Sequence, residues 1–197
     1  MIDNFDIILP LLSFNSDDEF YFVQIIQRKK DNPSTSGRNN KNRSVRSYRI
    51  TSTDKLIDLK EEMTMLAGFF NARVGINLNK RSFEKTAFNT LEKIAGQMKN
   101  RDFKSVKTAY DSCCGIHNSI SDKLWILDLD DIKEIHEYSP LYTFITECEP
   151  VGKKTIAIIP SKSGFHLITK PFNLQGFKEN YPEIEIHKNN PTSLYIP

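Results

Sequence analysis

Two aspartates, Asp128 and Asp130, stand one residue apart at the end of the apolar run 124–127. Side chains alternate along a β-strand, so both carboxylates point to the same face if this run is a strand. Mg²⁺ or Mn²⁺ prefers such oxygen ligands, and two metals about 4 Å apart can stabilise the attacking and leaving oxygens in phosphoryl transfer. The alternative is a strand that ends in the solvated acidic start of a helix, with Asp131 as its N-cap.

A second group of polar residues occupies the stretch 160–169, where a short turn leads into an apolar strand. Lys162 would bring a positive charge to this turn, and the flexible backbone of Gly164 would let the chain approach a phosphate closely. Ser163 and His166 would then present a hydroxyl and an imidazole beside the acidic strand. The alternative is a tight turn followed by a strand whose histidine packs in a half-buried position.

Glu183, Glu185 and His187 alternate with isoleucines, so they share one face of a predicted strand over 184–187. A carboxylate on a strand next to Asp128 would complete a metal site. We expect Glu185 to supply it, because Glu183 directly follows a proline and a hard cation favours a carboxylate over an imidazole. We also expect Glu185 to lie in the middle of its strand. The alternative is the polar face of an amphipathic edge strand.

The elements before the acidic strand begin with a predicted hairpin, made of strands at 19–27 and 45–50 around a polar loop at about 29–44. The stretch 28–49 contains eight Lys or Arg and one acid, Asp31. Such a basic and mobile loop is typical of binding to the phosphate backbone of nucleic acids, without reading of sequence. The alternative is a solvated loop. The candidate nucleic-acid-binding residues are Arg38, Lys41, Arg43 and Arg46.

Apolar spacing predicts helices over 54–70, 82–99, 102–114 and within 131–147, the first capped by Asp54 and the second by Ser82. Phe88, Leu91 and Met98 would belong to the apolar face of the second helix, and Phe103 and Tyr110 would point inward from the third. Further strands are predicted at 72–78, 124–129, 154–160, 165–171, 184–187 and 193–197. Helices that alternate with strands, followed by a strand-rich end, predict an α+β or α/β domain over 1–197, with helices packed on the mixed or antiparallel sheet that carries the acidic site.

The composition is that of a globular chain, with 39% hydrophobic and 26% charged residues in 197. The apolar runs are shorter than the roughly 20 residues that span a bilayer, and the N-terminus carries acids where a secretory signal carries positive charge. Three cysteines do not suit a disulfide framework. These features predict a cytoplasmic protein without a membrane partner.

The order of the three groups resembles the archaeo-eukaryotic primase superfamily, whose pattern is a DxD strand, a Ser-x-His turn and a hydrophobic residue followed by an acid. The stretch 71–82 is also similar to the early strand of small primase-polymerases, so the resemblance covers about residues 70–197. Two departures stand out. One extra residue separates Ser163 from His166, and Glu185 stands where the family usually has Asp.

This resemblance implies a primase-polymerase-like core that transfers nucleotides on a DNA or RNA template with Mg²⁺ or Mn²⁺, as in a phage or mobile-element enzyme. It implies that Asp128, Asp130 and Glu185 hold the metals. Ser163 and His166 would contact the incoming nucleoside triphosphate, and Lys162, Arg73 and Arg81 would neutralise phosphate oxygens. A helicase or accessory domain would be a further partner. The alternatives are a nucleic-acid-binding module of the same fold without catalysis, and a metal-dependent nuclease.

Overall fold

A computed structural model of the chain describes residues 1–33, 42–116, 123–130 and 139–197. The strands are β1 (Ile2–Asp3), β2 (Glu19–Gln27), β3 (Arg43–Ile50), β4 (Arg73–Ile76), β5 (Arg81–Ser82), β6 (Trp125–Asp130), β7 (Thr155–Pro160), β8 (Gly164–Thr169), β9 (Glu185–His187) and β10 (Thr192–Ile196). The helices are α1 (Phe5–Ile8), α2 (Thr53–Asp58), α3 (Lys60–Phe70), α4 (Phe83–Lys99), α5 (Ala109–Gly115), α6 (Ser139–Glu147) and α7 (Gln175–Asn180), with 3-10 turns at Leu9–Leu11, Lys29–Asp31 and Ser105–Thr108.

The strands form two antiparallel sheets. The first has the order β1-β10-β4-β2-β3, with β5 paired to β2, and the second has the order β7-β8-β6-β9. The predicted hairpin of β2 and β3 is confirmed, and so is the α+β class in its coarser form, as a mixture of antiparallel sheets and helices. The acidic strand β6 lies inside the second sheet, between β8 and β9.

Alternation along β6 divides its side chains between two cores. Trp125, Leu127 and Leu129 pack in a cluster with residues of α6 and α7. Ile126, on the other face, joins the largest core cluster, which also contains most of the buried residues of the first sheet. Asp128 and Asp130 follow Ile126 on this second face, so the acidic pair begins where the core between the two sheets ends.

The predicted helix over 54–70 is two helices, because the chain breaks its helical run at Leu59 between α2 and α3. The predicted cap at Asp54 is wrong. Ser52 precedes the helix in extended conformation, and its side chain accepts a hydrogen bond from the amide of Lys55. Asp54 instead lies in the first turn, where a negative charge favours the positive end of the helix. Ser82 does cap α4, as predicted.

The apolar face of α4 does not point inward. Phe88 and Leu91 are each 65% exposed, whereas Thr86 and Thr90 are buried. The Phe83 ring at the start of the helix packs on Phe20 of β2, and the helix packs against α5, so its threonine side faces the protein. An apolar pattern therefore identified a helix but not the face that it buries.

The predicted helix over 102–114 shortens to a 3-10 turn and α5, and Phe103, expected to point inward, is 63% exposed. Of the predicted helix within 131–147, the structure describes α6 only, and Asp131 lies outside the described residues. None of the helices that the structure describes is both long and apolar enough to cross a membrane.

Candidate functional site

The three polar groups of the sequence lie on three adjacent strands. Asp128 on β6 is directly opposite His166 on β8 and directly opposite Glu185 on β9. The prediction that the strands of the second and third groups flank the acidic strand is therefore confirmed. Residues that are up to 57 positions apart in the chain form one row across the sheet, on the face that continues from Ile126.

His187, two positions after Glu185, joins the row from the same face. Its Nε2 lies 3.9 Å from Oδ2 of Asp128 and 3.5 Å from Oε2 of Glu185. Nε2 of His166 lies 3.7 Å from the other oxygen of Asp128, Oδ1. Both imidazoles thus face the central carboxylate at distances just beyond a good hydrogen bond.

The Asp128 carboxylate is held without full compensation. Its Oδ1 is buried and has no hydrogen-bond partner among the described residues. Burial raises the pKa of Asp128, and the nearby His166 opposes this shift. Burial also lowers the pKa of His166, which favours a neutral imidazole. A buried oxygen without a protein partner calls for an explanation, which a bound ion, a ligand or a water molecule would supply.

His166 is oriented by the first sheet. Its Nδ1 lies 2.8 Å from Oγ1 of Thr192, a fully buried residue on β10. This hydrogen bond joins the two sheets and turns Nε2 toward Asp128. A hydrogen bond at one ring nitrogen determines which atom the other presents to a ligand.

Asp130 accepts a hydrogen bond from Oγ of Ser163, in the turn between β7 and β8. Gly164 follows and lies opposite Asp130 in the sheet. A Cβ atom at this position would come within 2.0 Å of the carbonyl oxygen of Leu129. Glycine is therefore needed here so that β8 can reach the end of β6, while the role of Gly164 in approaching a phosphate stays a prediction.

Glu185 is the first residue of the short strand β9, not its middle residue, and its side chain is 77% exposed. The expected position in the middle of the strand is therefore wrong, although the register places Glu185 opposite Asp128, as its choice as third ligand requires. Glu183 precedes the strand and is exposed. The choice of Glu185 as third ligand stays a prediction, supported by register alone.

A divalent cation fits this site by the chemistry of its donors. Asp128, Asp130 and Glu185 offer carboxylate oxygens, and Oδ1 of Asp128 is buried without a protein partner. Across the described ranges, no three His, Cys, Asp or Glu side chains already form a group that could hold a metal. Binding would therefore require Glu185 to turn inward from its exposed position, and Asp130 to exchange its contact with Ser163.

The site opens into a cleft of about 620 Å³ between the two sheets. Asp128, Asp130, His166 and His187 line one side, while Ile26, Val74 and Gly75 contribute the first sheet. The cleft is also lined by four cationic side chains, Arg28, Lys30, Arg73 and Lys162. The acidic residues of the row and these four basic residues therefore line the same cleft.

Arg73 and Lys162 both line the cleft, and both contact Asp31. Arg73 donates to the two carboxylate oxygens of Asp31, at 2.7 and 2.9 Å. Lys162 Nζ lies 2.6 Å from Oδ1 of the same group. The hydrogen bonds from Arg73, followed by the one from Lys162, lower the pKa of Asp31 to about 2 despite its burial.

Arg81 is not at the cleft. Its side chain is fully buried and donates to the carbonyl oxygens of Cys114 and Asn79 and to Oδ1 of Asn189. A fully enclosed guanidinium cannot reach a nucleotide, so the prediction for Arg81 is wrong. Burial lowers its pKa to about 10.

A network of asparagines continues from Arg81 and ties the two sheets together behind the cleft. Asn79 donates to the carbonyl oxygens of Leu124 and Lys188 and accepts from the amide of Leu124. Asn77 donates to the carbonyl oxygen of Asn189. We call Asn77, Asn79, Arg81 and Asn189 the asparagine clamp. It fixes the beginning of β6 and the end of β9, the strands that carry Asp128 and Glu185.

The predicted nucleic-acid-binding residues divide into two groups. Arg43 lies over the ring of Phe70, and Arg46 forms an ion pair of 3.2 Å with Glu62. Both therefore lie on the side of β3 that faces α3, and neither contributes to the described lining of the cleft. Arg38 and Lys41 lie outside the described residues.

Sequence reasoning missed Arg28, Lys30, Asp31 and Thr192 as contributors to the cleft. The dense positive charge around Arg28 indicated a basic region, but no local signal showed that its single acid would meet Arg73 and Lys162. Comparison of the chain with models of protein families, with curated protein sequences and with solved structures finds no significant match. The site is therefore interpreted from its own geometry.

Proposed function

We propose that this chain is the catalytic core of a template-dependent nucleotidyltransferase of the primase-polymerase type, acting with Mg²⁺ or Mn²⁺. One observation carries the proposal: Asp128 lies between His166 and Glu185 in a single row across three strands. This row brings together all three motifs on which the resemblance to primases rests. Their separation in the chain means that no local pattern forces them into register.

The residues divide into three roles in this proposal. Asp128, Asp130 and Glu185 would hold the metals, which when bound stabilise the attacking and leaving oxygens of phosphoryl transfer. Ser163 and His166 would donate hydrogen bonds to the triphosphate. Arg73 and Lys162, with Arg28 and Lys30, would balance its negative charge. Catalysis then rests on positioning and charge stabilisation, without a covalent intermediate.

The dimensions and charges of the cleft suit a nucleotide. Its volume of about 620 Å³ falls within the range of roughly 300–1,000 Å³ that is usual for small-molecule sites. Apolar surface from Ile26 lies next to charged groups, as a ligand with a base and a phosphate tail requires. The basic segment that includes Arg38, Lys41, Arg43 and Arg46 would contact the template backbone in this proposal.

A non-catalytic nucleic-acid-binding module is the second candidate. The observation that favours it is Glu185, whose side chain is 77% exposed and belongs to no group of three metal-ligating side chains in the described part of the chain. Such a module would bind DNA or RNA through its basic residues, with affinity that falls as salt rises. It would show no change in binding to nucleic acid when Asp128 is replaced.

The test is incorporation of labelled nucleotides on primed and unprimed templates, with Mg²⁺ and with Mn²⁺. We expect Asp128→Asn and Asp130→Asn each to lower incorporation by at least about 100-fold, because each removes charge that the transition state needs. Asp111→Asn is the control, because it removes the charge of a partly exposed aspartate that pairs with Arg49 outside the described cleft lining. It should retain activity.

The products separate the three functions. Extended or newly started strands support the proposal, and shortened strands would identify a nuclease. Binding of template without either reaction would favour the non-catalytic module. Incorporation that survives in both Asp128→Asn and Asp130→Asn would overturn the assignment of the site.

A further inference from the structure

The Asp31 carboxylate occupies a position that an anion from outside could take. It receives hydrogen bonds from Arg73 on β4 and from Lys162 in the turn between β7 and β8. Its side chain is only 8% exposed, and all three residues line the cleft. The Asp31 carboxylate therefore contacts positively charged side chains from both sheets at the cleft.

The donors around Asp31 have the chemistry of a phosphate site. The planar guanidinium of Arg73 contacts two oxygens of one group, a geometry that suits carboxylate and phosphate equally. Lys162 adds a compact charge, and Arg28 and Lys30 lie along the same cleft. Arg73 and Lys162 together carry one more charge than Asp31 neutralises, which a ligand with several negative charges would balance.

The two partners hold Asp31 unequally. Arg73 is 19% exposed, and the backbone carbonyl of Asp31 also accepts a hydrogen bond from Asn71, so this side of the contact is part of the first sheet. Lys162 is 52% exposed. The Lys162 ammonium is therefore accessible from solvent, and Asp31 would keep its two hydrogen bonds from Arg73 when Lys162 turns toward a ligand.

We propose that Arg73 and Lys162 form a phosphate-binding site which Asp31 occupies in the free protein and from which a polyphosphate displaces it. Lys162 first exchanges its contact with Asp31 for a contact with the ligand. The ligand then contacts the guanidinium of Arg73, either together with Asp31 or in its place. Asp31 is thus an internal competitor that lowers affinity for phosphates. The identity of the ligand as a nucleoside triphosphate rests on the proposed function, but the competition itself requires only a polyphosphate.

The other possible role for Asp31 leads to the opposite expectation. If Asp31 serves to position Arg73 for the ligand, its removal disorders the fork and weakens phosphate binding. If it competes, its removal strengthens binding. The sign of one affinity change therefore distinguishes the two roles.

The experiment is calorimetric titration of inorganic tripolyphosphate without divalent metal or template. We expect Asp31→Asn to bind about three- to tenfold more tightly than the parent, the change expected when roughly 1 kcal/mol of competing ion pairing is lost. Asp31→Glu keeps the competing charge and should stay within about twofold of the parent. Asp111→Asn removes a carboxylate from another arginine, outside the described lining of the cleft, and should also stay within that range. Equal or weaker binding by Asp31→Asn overturns the proposal.

A measurement on the parent protein keeps the test independent of how well the variants fold. The side-chain carboxyl carbon of Asp31 should shift in the NMR spectrum as tripolyphosphate saturates the site, and Lys162→Ala should weaken binding about tenfold. An unmoved Asp31 signal at saturation overturns the competition. These readouts contain no nucleotide incorporation, so a failed polymerase assay with the expected affinities would overturn the proposed function and leave the phosphate site standing.

Discussion

Two polar regions adjoin the acidic strand β6, and they differ in how completely their groups are satisfied. In the asparagine clamp, the buried guanidinium of Arg81 has three oxygen acceptors, and Asn79 uses both ends of its amide. In the row around Asp128, the nearest imidazole nitrogens lie at 3.7 and 3.9 Å, and Oδ1 has no hydrogen-bond partner among the described residues.

The contrast separates polar groups that are satisfied within the fold from polar groups that are left available to a ligand. Buried polar groups are normally paired, so the contribution of a complete network such as the asparagine clamp to the stability of the fold is enough to explain it. A buried carboxylate oxygen without a partner, such as Oδ1 of the partly exposed Asp128, costs stability unless a cation, a substrate or water contacts it. Arg73 and Arg81 illustrate the same point, because one lies at the cleft beside Asp31 and the other is enclosed.

The largest effect should follow from breaking the asparagine clamp. Arg81→Met keeps much of the side-chain volume but leaves the three acceptors without a charged donor, which should destabilise the fold by about 3 kcal/mol or more. Urea unfolding measures this loss. Arg73→Met is the matched control, because Arg73 lies at the cleft and its loss should cost less stability. Equal losses in the two variants would contradict the division between clamp and site.

Much of the fold could be predicted from local sequence, because β6, β7 and β8 are apolar runs bounded by polar turns. The buried face of α4 could not be predicted. It depends on the contact between Phe83 and Phe20, which are 63 positions apart, and not on the pattern within the helix. Packing against a distant strand overrode a clear apolar face.

The site was predictable in the same uneven way. Spacing placed Asp128 and Asp130 on one face, but their alignment with His166 and Glu185 depends on long-range strand pairing. Asp31 carried no signal of its own, because a single acid in a basic segment is indistinguishable from a solvated one. Its importance comes from its contacts with Arg73 and Lys162, which lie 42 and 131 positions away in the chain.

A smaller effect of opposite sign should follow at Asp128. The folded protein holds this carboxylate with its pKa raised by burial, so ionisation at neutral pH works against folding. Asp128→Asn removes the charge and should stabilise the metal-free protein by about 1 kcal/mol, or about 2–4 °C in Tm for a chain of this length. Thermal unfolding at pH 7 without divalent metal measures the gain. A decrease in Tm would show that the carboxylate is satisfied and would remove the contrast with the clamp.

The smallest effect concerns Thr192, which shares a feature with each of the two polar regions. It is fully buried, yet it contacts a residue of the cleft. The Asp128 carboxylate faces Nε2 of His166 at 3.7 Å and favours a proton there, so we expect Nδ1 to accept its hydrogen bond from the Thr192 hydroxyl. Nε2–H is then available to donate to a phosphate oxygen. Thr192→Val removes the hydroxyl at nearly constant volume.

Thr192→Val should therefore weaken binding of a nucleoside triphosphate by about three- to fivefold, the loss that corresponds to one hydrogen bond of roughly 1 kcal/mol. Thr192→Ser keeps the hydroxyl but leaves a small cavity, so it should lower Tm and preserve affinity. The pair separates positioning from packing, because a purely structural Thr192 would make affinity follow stability in both variants. Nitrogen NMR shifts of His166 provide the direct readout: a protonated Nδ1 in the parent would contradict this role and leave His166 oriented by packing alone.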